Sequence, residues 1–87
     1  MSAQEMFEAL GYFLEDNQID ENISYRNCFS GIEMCIHFDV YKKWIEAYVW
    51  TRWNTEPFIF DNETQKAVFQ QCKELGWIDG KAKRADT

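Results

Sequence analysis

Between Ile32 and Trp53 apolar and polar residues alternate. Ile32, Met34, Ile36, Phe38 and Val40 fall on every second position, with Glu33, Cys35, His37, Asp39 and Tyr41 between them. Successive side chains of a strand leave opposite faces of the pleat, so this run predicts a half-buried strand. In the next run Ile45, Ala47, Val49, Thr51 and Trp53 alternate with Trp44, Glu46, Tyr48, Trp50 and Arg52. Asp39 to Lys43 separates the runs without an Asn-Gly pair, which predicts a hairpin closed by a longer loop. Upstream, Ile23, Tyr25 and Phe29 share one face of a first strand and Ser24, Arg26 and Cys28 the other, with Ser30-Gly31 as the turn. Three antiparallel strands in a meander result.

Helical patterns flank the strands. Ser2-Ala3-Gln4-Glu5 fits a capping box, Met6, Phe7 and Leu10 form an apolar stripe, and Gly11 is placed to end the helix with Tyr12 folding back on Phe7. The helix is predicted over about 3–10. Tyr12-Phe13-Leu14 reads as extended, and residues 15–22 as an acidic loop. Asn54 to Pro57 is a break, after which Phe58-Ile59-Phe60 leads into a second helix capped by Asp61 or Asn62. Its expected apolar stripe is Ala67, Val68, Phe69, Cys72 and Leu75, with Gln71 on the polar side, Gly76 as the stop and Trp77 returning. The expectation is a two-layer α+β fold, α-β-β-β-α, with both helices on one face of a three-stranded sheet. Residues 1–79 form the domain and 80–87 a flexible basic tail.

Size and charge narrow the function classes. The 87 residues suffice for one core, and aromatics at 17% supply much of its bulk. Net charge is −6; Gly80 to Thr87 hold three of nine basic and one of fifteen acidic residues, so six bases face fourteen acids in the body, a net of −8. Such a body repels phosphate backbones, which argues against direct nucleic-acid binding. No apolar run is long enough to cross a bilayer, and the first ten residues lack the features of a signal peptide. Cys28, Cys35 and Cys72 are odd in number and lack CxxC spacing, which points to free thiols and a cytoplasmic setting.

The opening 3–12 (AQEMFEALGY), the central strands and the closing 70–77 (QQCKELGW) resemble small uncharacterised proteins from prophages and mobile elements of Gram-positive bacteria. The resemblance lies in layout and helix caps, and no functional residue comes with it. It implies a phage accessory protein in a bacterial cytoplasm.

Chemistry-bearing patterns are sparse. His37 and Cys35 share a strand face, with Cys28 on a neighbouring strand, but thiol packing outweighs a metal site there. GxSxG, a glycine-rich phosphate loop and HExxH are all missing, so no catalytic residue and no cofactor is expected. The stronger signal is the second sheet face. If the aliphatic set packs on the helices, Trp44, Tyr48 and Trp50 face away, with His37, Tyr41, Glu46 and Arg52 beside them. The opposite register would bury those rings, and a covering N-terminal segment would hide them. The first expectation is a non-enzymatic protein that binds a host or phage protein, or a second copy, through Trp44, Tyr48, Trp50, Tyr41, His37 and Arg52. Glu15, Asp16, Asp20, Glu21 and Glu46 would steer the encounter. The alternative is an acidic nucleic-acid mimic that inhibits a host defence nuclease in the manner of some anti-CRISPR proteins. A small metal-binding or cysteine-dependent enzyme comes third.

Overall fold

Ser2 opens helix α1 (Ala3–Ala9) with the reciprocal cap its spacing predicts. The Glu5 amide donates to Ser2 Oγ at 3.1 Å and the Ser2 amide to Glu5 Oε1 at 2.8 Å. Gly11 stands at φ 96, which lets the Tyr12 amide reach the Phe7 carbonyl and the Gly11 amide the Glu8 carbonyl, both at 3.0 Å. The Tyr12 ring then meets Phe7 edge-on at 5.6 Å between centroids. Helix α2 (Asn62–Glu74) repeats the device: the Thr64 amide donates to Asp61 Oδ1 at 2.8 Å, and the Trp77 amide to the Cys72 carbonyl at 3.0 Å. The computed structural model describes residues 1–15, 22–52, 55–56 and 60–78, the pair 55–56 by backbone alone. The basic tail expected at 80–87 lies outside the described residues.

Between the helices runs an open antiparallel sheet of order β1-β2-β3-β4-β5. Its strands are β1 (Phe13–Glu15), β2 (Ile23–Phe29), β3 (Ile32–Asp39), β4 (Trp44–Trp50) and β5 (Thr55–Glu56). The α+β class and the central meander are as predicted; the strand count is not. Phe13–Glu15 pairs with Arg26–Ser24, and Thr55–Glu56 pairs with Trp50 and Val49 inside the expected break. Strands of three and two residues carry no readable period. Their pairing depends on a neighbour already in place.

The β2–β3 turn is tight: Ser30 at φ 49 and Gly31 at φ 77 both occupy the left-handed region, the geometry that suits the sheet's twist. The β3–β4 turn is longer. Asp39 Oδ1 accepts from the Tyr41 amide at 3.1 Å and the Lys42 amide at 3.0 Å, and Lys43 turns the chain at φ 59.

Both helices cover one sheet face. Phe7 of α1 stacks on Tyr25 at 4.0 Å, Phe38 meets both rings edge-on, and Ile36 and Ala67 complete a fully buried centre. The Tyr25 hydroxyl donates to Gln71 Oε1 of α2 at 2.5 Å, both side chains being buried. The helices run antiparallel, since the Ala3 amide donates to Glu74 Oε2 at 2.8 Å while Leu10 and Glu63 line one shallow cleft at the other end. Two expectations for α2 are corrected. Phe69 points outward, 53% exposed, and Gln71 is buried with Thr64 and Ala67. Positions 64, 67 and 71 share one helical stripe, from which residue 69 is turned away, so geometry overrides residue type.

Candidate functional site

Cross-strand register fixes which side chains leave the sheet away from the helices. Phe38 pairs with Ile45, Ile36 with Ala47 and Met34 with Val49, which puts the aliphatic set of β4 on the helix side. Asp39 pairs with Trp44, His37 with Glu46, Cys35 with Tyr48 and Glu33 with Trp50, all on the opposite face. The reversed register is therefore excluded. Trp44 is 47% exposed and Trp50 42%, while Tyr48 is half-buried and holds its ring 4.5 Å from that of Trp50. The described N-terminal residues, 1–15, do not lie over this face. Its strand β1 extends the sheet and adds Phe13, 49% exposed, in the row of Arg26, Cys35 and Tyr48.

The middle of the face is closed by its own side chains. Arg26 forms an ion pair with Glu33, and with Glu15 through Nε–Oε2 at 3.1 Å and Nη2–Oε1 at 3.4 Å. Chiefly the Glu15 hydrogen bond holds the guanidinium above its ordinary pKa. Cys35 beneath is only 2% exposed, although it lies on the face without helices. Burial pushes its thiol up, against the Tyr48 hydroxyl hydrogen bond and the Arg26 charge, the opposite direction from the lowered pKa that makes a cysteine reactive. Burial, then this bond to Cys35, raises Tyr48. His37 Nδ1 is hydrogen-bonded to Ser24 Oγ at 2.6 Å across β2 and β3. Ser24 is buried, so the pair ties two strands together rather than presenting a nucleophile. Among the described residues no three His, Cys, Asp or Glu side chains gather closely enough to hold a metal ion.

The predicted residues thus separate into groups. Trp44, Tyr48 and Trp50 share the face as expected, but as two ring groups at opposite ends of β4. Six residue steps put Trp44 about 20 Å from Trp50. At one end Lys42 sits over the Trp44 ring, 4.6 Å from its centroid. Glu46 lies between the two groups, exposed and without an ion pair among the described residues. His37 is on the face, but Ser24 occupies its Nδ1. Tyr41 is exposed in the β3–β4 turn and does not belong to the strand face, because the strand stops at Asp39. Arg52 is exposed past the end of β4. Glu15, expected to steer partners, is engaged by Arg26. Asp16, Asp20 and Glu21 lie outside the described residues. Sequence reasoning missed Phe13 and the central Arg26; the alternation of Phe13, Leu14 and Glu15 was the available signal, too short to establish a strand. No family model matches the chain, and no curated protein or solved structure matches it.

Proposed function

We propose that this chain is a non-enzymatic binding protein that docks a partner protein on the sheet face opposite its helices. One observation carries the reading: Trp44 and Trp50 are nearly half exposed on the face opposite the two described helices. Large rings left in water are unfavourable for a free surface and are preferred anchors at interfaces. The phage accessory setting and the bacterial cytoplasm belong to the same proposal, through the resemblance in layout. The acidic-mimic reading rests on the net charge of −6, and Glu15, one of its carboxylates, is already paired with Arg26. It is therefore the lesser alternative.

The test compares single alanine variants as bait in a host lysate. A partner held by the native chain and by Phe69→Ala should be lost with Trp44→Ala and Trp50→Ala, while far-UV circular dichroism stays unchanged. Phe69 is an equally exposed ring on the helix side and so controls for general stickiness. A partner retained by both tryptophan variants, or unfolding of both, would remove the reading.

A further inference from the structure

Trp44, Glu46, Tyr48 and Trp50 project along β4 in one line, at steps of about 7 Å. Building on the docking role of this face, we propose that its occupant is a basic amphipathic helix of the partner, laid along β4. Aliphatic side chains of that helix cover the Tyr48–Trp50 pair, and a Lys or Arg near its middle meets Glu46.

Length comes first. A compact ligand reaches either Trp44 or the Tyr48–Trp50 pair, whereas a helix of about 14 residues spans the roughly 20 Å between them. An added strand would need free backbone, which a sheet offers at its edges and not on its face. Charge comes second. Arg26 takes Glu15 and Glu33, and Asp39 receives the Tyr41 and Lys42 amides. That leaves Glu46 as the carboxylate of the stripe without an ion pair among the described residues, in a chain of net charge −6 that attracts bases at long range. Lys42, Lys43 and Arg52 lie off the ends of the stripe, so the complementary base belongs at the middle of the helix. A second copy fits poorly, since it brings another −6 body onto the same face.

The probes are an amphipathic Leu/Lys peptide of about 14 residues and its Leu/Glu counterpart, titrated into the full chain at low salt. The Leu/Lys peptide should bind and shift the Trp44 and Trp50 indole resonances. Trp50→Ala should weaken it about tenfold or more and Glu46→Gln about fivefold, with the Leu/Glu peptide weaker still. Equal affinity for both peptides, no loss with Glu46→Gln, or no binding of the Leu/Lys peptide would overturn the inference. Binding that survives Trp50→Ala would also overturn it, as attraction to the acidic body alone. A dimer in sedimentation that dissolves with Trp50→Ala would give the face to a second copy instead. None of these outcomes touches the docking role itself, which is tested separately by the lysate partner and the folding of Trp44→Ala and Trp50→Ala.

Discussion

Tyr25→Phe tests how the helix layer is fastened to the sheet. The change removes one oxygen and keeps the ring that stacks on Phe7 at 4.0 Å. It leaves Gln71 Oε1, now bonded at 2.5 Å and buried, without its donor. A buried polar atom stranded in this way costs about 1–3 kcal/mol, so about 2 kcal/mol is expected. In a domain of this size that lowers the Tm by roughly 10 °C. Gln71→Leu strands the Tyr25 hydroxyl instead and should cost a similar amount. The double variant strands neither group, so its loss should fall to about 1 kcal/mol, a coupling of about 3 kcal/mol. Urea unfolding of the four proteins, followed by circular dichroism, gives the cycle. Additive losses, or a Tyr25→Phe loss under about 0.5 kcal/mol, would refute a buried sheet-to-helix hydrogen bond.

Three more outcomes follow from the backbone and the buried phenols. Gly11 and Gly76 have similar φ values, 96 and 78, but a Cβ on Gly11 would stand 3.1 Å from Asn27 Nδ2 while one on Gly76 meets nothing within 4 Å. Gly11→Ala should therefore exceed the about 1–2 kcal/mol of left-handed strain expected for Gly76→Ala, as thermal unfolding will show. Ser30 holds φ 49 in the β2–β3 turn, and Ser30→Asn should raise the Tm by roughly 2–4 °C because asparagine tolerates that region better. Burial pushes the Tyr12 and Tyr25 hydroxyls up to about 12 from 10.0. The unfolded chain releases these protons first, so the associated stability is complete below pH 10 and is lost as pH rises from 10 to 12. Urea midpoints measured across that window should fall, and a flat profile would place both phenols in solvent.

Much of the architecture is legible in the residues. N-caps and glycine stops act locally, so the ends of both helices can be placed to within a residue or two without the rest of the chain. The run from Ile32 to Trp53 is long enough for its period to mark the strands, but which face of β4 turns toward the helices is set by its pairing with β3. What was not legible depends on tertiary placement. Phe13–Glu15 is a strand because β2 offers it an edge. Glu15 is lost as a steering charge because that same pairing brings it to Arg26. Gln71 is buried because Tyr25 waits beneath it, a contact between residues far apart in the chain. Alternation reports a face but not a distance along it, so Trp44 and Trp50 read as one patch although a strand's length separates them.

Indole Nε1–H resonances give the most direct measurement of the central claim. In the free chain Trp44 and Trp50 should exchange with solvent and broaden with a soluble paramagnetic probe, while Trp77, packed on Phe38 at 6.3 Å, is less affected. When the partner retained by the native chain is added, the Trp44 and Trp50 signals should shift together and become protected, with Trp77 unmoved. Shielded Trp44 and Trp50 in the free monomer, or signals unchanged at saturation with the partner, would contradict the account.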